Sequence, residues 1–413
     1  ARERFPGGVL VDAPHRDCAA RVEQTRRALD AKAPAIFEAS FFVDDLFVAV
    51  DVLERTKRGH AIVEVKSSTR VKPEHVPDAA VQTHVLRRAG LAVERVEIMH
   101  LNRDCRYPDL SRLFTRADVS EAVDEILSDV PRLAVAQLLM LRGAVPEVAT
   151  GDHCTSPYEC PFLDRCWPPA PEHHVRTLYY IGKKAAELEA RGFVTIRDLT
   201  GDVRLSPIAD RQRRSVQQNR MIVEPGLGES LAALHRPCAV LDFETVQLAI
   251  PVWRGCRPYD QVPAQFSCHV VRADGSLEHH EWLADGAHDP RPELAARLVE
   301  ACPGAGVVIA YNAPFEKAAL RHLAEFVPAH ADALADLEAR TVDALPLVRE
   351  HVYHPACGGS FSLKAVLPAL VPDLSYEGLE VAGGGIASIE LARQMFEADA
   401  MPAAERARVR EAL

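Results

Sequence analysis

The sequence lacks the features of a membrane or exported protein. It contains no apolar run of roughly 18 residues or more, the length that a membrane-spanning helix needs. Its first residues carry no signal-peptide pattern, and no internal repeat or low-complexity tract interrupts the chain. We therefore expect a cytoplasmic protein without a membrane partner, whose 413 residues form about two or three domains.

The chain also lacks an excess of basic residues over acidic ones, since the net charge is −11 and the pI is about 5.9. Such a chain does not coat nucleic acid through bulk charge, so any contact with nucleic acid must be local. One local candidate is VRLSPIADRQRRSVQQNR, residues 203–220, in which Arg213 and Arg214 are candidate nucleic-acid contacts. The alternative interpretation of this stretch is a solvated helix face.

The stretch AIVEVKSST, residues 61–69, interrupts an apolar strand with two charges. Strand alternation places Glu64 and Lys66 on one face, and Asp51 ends the preceding strand LFVAVD. Carboxylate oxygens suit Mg²⁺ or Mn²⁺, and a lysine beside them can orient or help to deprotonate an attacking water and stabilise developing charge. Gln82, on the following helix, can reach the same place. The alternative is a half-exposed edge strand with an ordinary ion pair.

The ordered set Asp51, Glu64-x-Lys66 and Gln82 resembles the pattern of the PD-(D/E)xK nucleases. The resemblance implies a catalytic site formed by these four residues, with Asp51 and Glu64 as ligands of Mg²⁺ or Mn²⁺. Glu38 lies upstream, where such nucleases often carry a further acid or a histidine.

Ten cysteines in a chain expected to be cytoplasmic favour buried thiols or a metal centre over disulfides. Cys154, Cys160 and Cys166 lie in a proline-rich loop that is unsuited to burying three thiols by packing alone. Soft thiolates select Zn²⁺ or an iron–sulfur cluster, which usually needs a fourth ligand. The layout resembles the iron–sulfur nucleases of the RecB-like type, which implies a 4Fe–4S cluster with Cys18 as the nearest upstream candidate. Open alternatives are Zn²⁺ with His153, a fourth ligand before residue 1, and Cys18 as an ordinary helix-face thiol.

A second set of acids begins in VLDFET, where Asp242 and Glu244 share one face of a strand. Two acids in this arrangement can bind one metal ion together and share a second. VVIAYNAPFEKAAL then supplies Asn312 and Glu316, and RTVDALPLV supplies Asp343. The order resembles the RNase H-like 3′–5′ exonucleases of the DnaQ type. This resemblance implies that the four acids are catalytic, that Asp242, Glu244 and Asp343 bind metal, and that Asn312 contacts nucleic acid.

The last block of the exonuclease pattern is weaker. Relatives end with Tyr-x3-Asp or with His and Asp, whereas this chain has Tyr376-x3-Glu380. An inactive domain that binds nucleic acid is therefore the alternative for this region. Nearby, GSFSLK contributes Lys364, a cation that can hold a phosphate.

Nearly the whole chain resembles the bacterial family called domain of unknown function 2779, through phrases such as FPGGVLV, EVKSST, CTSPYECPF, LDFETVQLAIPVW, YNAPFEKAAL and GSFSLKAVLPALVPDLSYEGL. The resemblance implies a mixed α/β protein in which a RecB-like PD-(D/E)xK nuclease is fused to an RNase H-like domain. We expect the nuclease domain, closed by the cysteine metal centre, at 1–170, a small helical linker similar to a helix-hairpin-helix at 171–232, and the RNase H-like domain at 233–413.

These features together predict a Mg²⁺- or Mn²⁺-dependent deoxyribonuclease that acts on single-stranded DNA or free ends. The resemblance suggests DNA repair or antiviral defence as its context. No helicase motif is present, so a helicase or another repair or defence protein is the expected partner for unwinding. A ribonuclease is one alternative, and a nucleic-acid-binding scaffold with an inactive C-terminal site is another.

Overall fold

The computed structural model describes residues 1–167, 169–302, 306–376, 378 and 383–413. These residues form a mixture of α-helices and β-strands, so the predicted α/β class is confirmed at this level. None of the helices that the structure describes has both the length and the apolar character of a membrane span.

Two compact units divide the chain, the first with Ala1–Cys166 and Leu248–Tyr259 and the second with Trp167–Gln247 and Asp260–Leu413. The short segment 248–259 therefore belongs to the first unit. There, the hydroxyl group of Tyr259 donates a hydrogen bond to the carbonyl oxygen of Ser67 at 2.8 Å. The boundaries expected at residues 170 and 232 stay predictions.

A six-stranded sheet with helices around it forms the first unit. Its elements in chain order are β1 (Val9–Leu10), α1 (Cys18–Asp30), β2 (Ala35–Val43), β3 (Leu46–Arg55), β4 (His60–Lys66), α2 (His75–Arg88), β5 (Val93–Leu101), β6 (Phe114–Asp118), α3 (Ser120–Ile126), α4 (Val130–Arg142) and α5 (Leu163–Cys166). The strands lie in sequence order, with β1 parallel to β2 and β4 parallel to β5. Because parallel neighbours need a crossover connection, the chain passes through α2 between β4 and β5.

Alternation of side chains along β4 determines what faces the core beneath α2. Ile62 is fully buried in the same apolar cluster as Leu86 of α2. Glu64 follows Ile62 by two residues, so it lies on this same face of the sheet. Helix α2 ends where Gly90 adopts a φ of 87°, a left-handed conformation that glycine accepts without strain. The apolar face of the helix therefore positions its polar residues over the acids of the sheet.

A five-stranded sheet in the order β10-β9-β8-β11-β12 is the centre of the second unit. The unit's elements in chain order are α6 (Lys184–Ala190), α7 (Pro207–Gln218), β7 (Ile222–Val223), α8 (Leu227–Ala232), β8 (Cys238–Gln247), β9 (Gln261–Val271), β10 (Leu277–Leu283), α9 (Arg291–Ala301), β11 (Val307–Ala310), α10 (Pro314–Phe326), α11 (Ala331–Arg340), β12 (Thr341–Asp343), α12 (Ala344–His351), β13 (Val352–Tyr353), α13 (Leu363–Leu370), α14 (Gly384–Phe396) and α15 (Ala403–Ala412). Strands β8, β9 and β10 are antiparallel, whereas β11 is parallel to both β8 and β12.

Two apolar cores lie among the described residues of the second unit. One lies between the sheet and the helices α9, α10 and α11, and includes Leu241, Leu294 and Leu320. The other joins Ile196 and Val216 of the expected linker region to Tyr353 and other residues near α12 and α13. Residues of the 171–232 segment thus share a core with residues well beyond it.

Candidate active sites

Three carboxylates lie in one row across three neighbouring strands of the first unit. The registers Phe37–Val52 and Ala39–Val50 place Glu38 of β2 opposite Asp51 of β3, and the continuing register of β3 and β4 places Asp51 next to Glu64. Adjacent strands are about 4.8 Å apart, so the row brings the three acids close together. Glu38 has a φ of 59°, which is unusual for a residue other than glycine and marks a locally strained strand.

The Asp51 carboxylate is held by the backbone of the neighbouring strand. Its Oδ2 accepts a hydrogen bond from the Val65 N–H at 2.7 Å. Burial, followed by the charge of Glu64, raises the pKa of Asp51 to about 6 even though the hydrogen bond from Val65 lowers it. This acid is therefore poised to change its protonation state close to neutral pH.

Lys66 lies between two carboxylates. Its Nζ donates to Glu64 Oε1 at 2.8 Å and to Asp78 Oδ2 at 2.7 Å. Burial alone lowers the pKa of Lys66, but the hydrogen bonds to Asp78 and Glu64 outweigh it and raise the pKa above its usual range. Lys66 is therefore a permanent ammonium at neutral pH, which suits charge stabilisation and not proton abstraction.

Gln82 of α2 contacts the second carboxylate oxygen of Glu64. Its Nε2 donates to Glu64 Oε2 at 2.8 Å, while its own Oε1 is buried without a hydrogen-bond partner. A buried carbonyl oxygen without a donor is costly, so this atom faces a place where a water or cation is expected. The structure thus brings together Asp51, Glu64, Lys66 and Gln82, as the sequence predicts.

Sequence reasoning missed two members of this group. Asp78 and His75 precede Gln82 on α2 by four and seven residues, so all three lie on one face of the helix. Burial, followed by the charge of Lys66, lowers the pKa of His75, which places it beside the same lysine. The helical spacing before Gln82 is the signal that finds them.

Four acids of the second unit converge from two strands and a helix. Asp242 and Glu244 occupy the part of β8 beyond its pairing with β11, and Asp343 ends β12 opposite Ala310, the last residue of β11. Because these three strands are parallel, the acids follow the same edge of the sheet. Glu316, in the first turn of α10, is only 4% exposed, and its Oε2 has no hydrogen-bond partner within the described part of the chain.

The pKa values show that these acids affect one another. Burial and then the charge of Asp242 raise the pKa of Glu244 to about 7, whereas Lys364 lowers it. Burial also raises the pKa of Glu316 to about 7, with further contributions from Asp242, Asp343 and Glu244. Neighbouring groups desolvate the Asp242 carboxyl and raise its pKa, although part of this residue is open to solvent. The cluster therefore has more negative charge than its surroundings compensate.

Backbone donors and a tyrosine surround the second cluster. Asp343 Oδ1 accepts from the N–H groups of Asn312 and Leu345, both at 2.9 Å, so Asn312 supports an acid through its backbone. Burial and the Asp242 carboxylate raise the pKa of Tyr376, which lies beside the cluster as the exonuclease pattern suggests. Glu380, the other residue of that last block, lies outside the described residues.

The start of α14 also borders this cluster, which sequence reasoning did not foresee. A Cβ atom added to Gly383 would lie 3.3 Å from Lys364 Nζ, and one added to Gly384 would lie 3.8 Å from Glu244 Oε2. The run of glycines in GGGIAS is the signal, because glycine permits close approach of the backbone.

The four cysteines predicted to form a metal centre differ in their exposure to solvent. Cys154 is buried, Cys160 is half-buried, and Cys166 and Cys18 are exposed. As the side chains stand in the described part of the chain, no three or more His, Cys, Asp or Glu residues group closely enough to hold a metal ion. The cysteine centre and the acidic metal sites therefore stay predictions.

The two arginines predicted to contact nucleic acid are engaged within the second unit. Arg213 donates to the carbonyl oxygen of Thr200 at 2.9 Å and pairs with Asp210. Arg214 binds Asp210 at 3.1 Å and also pairs with Glu224. These contacts count against a nucleic-acid role of the two arginines and favour the alternative of a solvated helix face for this stretch.

By fold and sites, the chain is an α/β protein with two acidic clusters, each accompanied by a lysine. Residues 239–362 match the family described as "Domain of unknown function (DUF2779)". The family resemblance predicted from the sequence is thus confirmed for this segment, which contains Asp242, Glu244, Glu316 and Asp343. No curated protein and no solved structure matches the chain.

Proposed function

We propose that this protein is a metal-dependent nuclease with two hydrolytic sites, one in a PD-(D/E)xK-like unit and the other in an RNase H-like unit. The observation that carries the proposal is the row of Glu38, Asp51 and Glu64 across three strands, with the ammonium of Lys66 beside it. Carboxylates next to a fixed cation are what phosphodiester hydrolysis needs, because the metal and the lysine together stabilise charge on the phosphate.

In the first site, Asp51 and Glu64 would hold the Mg²⁺ or Mn²⁺, and the unpaired Oε1 of Gln82 fits the oxygen-rich surroundings that these ions prefer. The bound ion would supply Lewis acidity and an activated water. Lys66, fixed by Glu64 and Asp78, would stabilise the charge that develops on the phosphate. Asp51, with a pKa of about 6, would bind metal best above that pH.

In the second site, Asp242, Glu244 and Asp343 would hold Mg²⁺ or Mn²⁺, with Glu316 as a further acid. The buried Oε2 of Glu316, which no described residue contacts by a hydrogen bond, fits a place where a cation compensates negative charge. Tyr376 lies beside Asp242 and would position the attacking water by its hydroxyl group. This site is the proposed 3′–5′ exonuclease.

The cysteine centre is a separate proposal, which the spacing of Cys154, Cys160 and Cys166 supports. The thiols do not converge in the described structure, so no step of the reaction depends on them. A visible absorption spectrum and metal analysis of anaerobically purified protein would distinguish a 4Fe–4S cluster from Zn²⁺. Colourless protein without bound metal would exclude both.

The nuclease activity is tested with labelled single-stranded DNA, duplex DNA and RNA side by side, in Mg²⁺, Mn²⁺ or EDTA. We expect cleavage of DNA that requires the divalent ion and that disappears only when both Lys66→Ala and Asp242→Ala are present. Cleavage of RNA alone would favour a ribonuclease. Binding without cleavage in either metal would favour a nucleic-acid-binding scaffold. A role in DNA repair or defence, with a helicase as partner, belongs to this proposal through the family resemblance alone.

A further inference from the structure

The N-terminus of α14 lies at the second acidic cluster. Gly383 precedes the helix with a φ of −160°, and the first helical hydrogen bond runs from the Ala387 N–H to the Gly383 carbonyl oxygen at 2.9 Å. The amide groups of Gly384, Gly385 and Ile386 therefore have no acceptor within the helix. Aligned peptide dipoles add partial positive charge at this end of the 13-residue helix.

Gly383 and Gly384 bring the backbone at the start of α14 close to one cationic and one anionic side chain. A methyl group at Gly383 would approach Lys364 Nζ to 3.3 Å, and one at Gly384 would approach Glu244 Oε2 to 3.8 Å. A methyl group at Gly385 would meet nothing within 4 Å. Glycine at these two positions thus lets the helix backbone lie close to the lysine and the carboxylate.

A second observation indicates a place for a cation near this helix end. Glu316 is 4% exposed, its Oε2 has no hydrogen-bond partner among the described residues, and the charges of Asp242, Asp343 and Glu244 help to raise its pKa. A buried carboxylate among other carboxylates calls for a cation. Once a metal ion balances the acids, an anionic group can approach Lys364 and the helix end without facing uncompensated negative charge.

We propose that Lys364 and the first amides of α14 form a phosphate subsite that holds the 5′-phosphate of the terminal nucleotide of a DNA strand, next to the metal site. This inference rests on the proposed exonuclease function of the second unit. The lysine supplies the charge and the helix end supplies N–H donors, which is the arrangement that binds phosphates at helix N-termini. Gly384 permits the phosphate to reach both.

The test compares deoxyadenosine 5′-monophosphate with deoxyadenosine as ligands of the full chain, by isothermal titration calorimetry in the presence of Mn²⁺. The wild type should bind the monophosphate more tightly than the nucleoside. Lys364→Met and Gly384→Ala should each weaken binding of the monophosphate by about tenfold and leave binding of the nucleoside unchanged, as expected for one charge-assisted contact. Lys364→Arg should restore most of the affinity, because it keeps the charge.

Gly385→Ala is the matched control, since it adds the same methyl group to the same helix turn without a neighbour, and it should bind like the wild type. Titration with Mn²⁺ alone distinguishes a failure of the proposed function of the second unit from a failure of the phosphate subsite. If the wild type binds no Mn²⁺ at Asp242, the proposed function of the second unit fails. If Mn²⁺ binds normally and either Lys364→Met or Gly384→Ala keeps wild-type affinity for the monophosphate, the subsite is wrong.

Discussion

The two acidic sites differ in how their negative charge is compensated. In the first unit, Lys66 contacts Glu64 at 2.8 Å and Asp78 at 2.7 Å, so a cation of the protein itself is part of the cluster. In the second unit, Lys364 lowers the pKa of Glu244, but burial and Asp242 still raise it to about 7. Lys66 thus compensates Glu64 in the first site, where Asp51 has a pKa raised to about 6, whereas both Glu244 and Glu316 of the second site have pKa values raised to about 7.

This difference follows from the elements that supply the acids. The first cluster is built across β2, β3 and β4, with α2 above them supplying Asp78 and Gln82. The second is built on the part of β8 beyond its pairing with β11 and at the end of β12, and Glu316 enters it from the first turn of α10. Lys364 does not offset the effect of burial and of neighbouring carboxylates on the pKa of Glu244. The contrast predicts that the sites respond differently to mutation, pH and metal.

The largest expected effect is on the second site. Asp242→Ala should reduce 3′–5′ trimming by about three orders of magnitude, because it removes a carboxylate from metal ions with few other ligands. Cuts made by the first site should persist, since the two clusters share no residue. The measurement is product analysis of a 3′-labelled single strand and of a 3′-blocked one. Asp332→Asn, an exposed acid on α11, is the control and should behave like the wild type.

Loss of the same products in Asp242→Ala and Lys66→Ala would mean that the chain has one composite site. Unchanged trimming in Asp242→Ala would mean that the second unit only binds nucleic acid.

The first site should depend on its internal cation. Lys66→Ala, measured in an Asp242→Ala background, should slow DNA cleavage by about two to three orders of magnitude, because the ammonium stabilises charge on the phosphate. Lys66→Arg should restore little activity, since the guanidinium has a different shape. Lys57→Ala, an exposed lysine in the turn before β4, should leave the rate unchanged. Wild-type cleavage by Lys66→Ala in this background would contradict the assignment.

The pH dependence of stability should reveal the uncompensated charge of the second site. Glu316 has a pKa of about 7 in the folded protein and about 4.5 as its ordinary value, so the folded state binds more protons between these values. Its contribution to the free energy of unfolding therefore falls as pH rises through this window, by about 2 kcal/mol in the absence of metal.

Glu316→Gln isolates this effect because the amide has the shape of the protonated acid. In EDTA, the variant should match the wild type in thermal unfolding at pH 5 and be more stable at pH 7.5. Added Mn²⁺ should stabilise the wild type at pH 7.5 more than the variant. A difference between the two proteins that does not change from pH 5 to pH 7.5 would show that Glu316 is not in a charge-rich cluster.

The face on which these acids lie could be predicted from the sequence, because strand alternation determines where Asp51, Glu64, Asp242 and Glu244 point. The expectation that Asp51 ends its strand was wrong, since β3 continues to Arg55. The contributions of α2 and α14 could not be predicted as easily. Asp78 depends on how the helix rotates over β4, and Gly383 on where a distant helix docks against β8. Such docking is decided by packing between elements far apart in sequence, which local patterns do not encode.

The smallest expected effect concerns Asp78, the residue that links α2 to Lys66. Asp78→Asn keeps a hydrogen-bond acceptor but removes a charge, so we expect first-site cleavage to slow by about tenfold. The Asp78 carboxylate holds the Lys66 ammonium in place, so its loss should slow the chemical step and leave binding of the DNA nearly unchanged. The turnover rate and the Michaelis constant for DNA are measured separately in the Asp242→Ala background. Asp124→Asn removes an exposed acid that pairs with Arg87 of the same helix at 3.1 Å, and should change neither. A wild-type turnover rate in Asp78→Asn would show that Asp78 does not position Lys66.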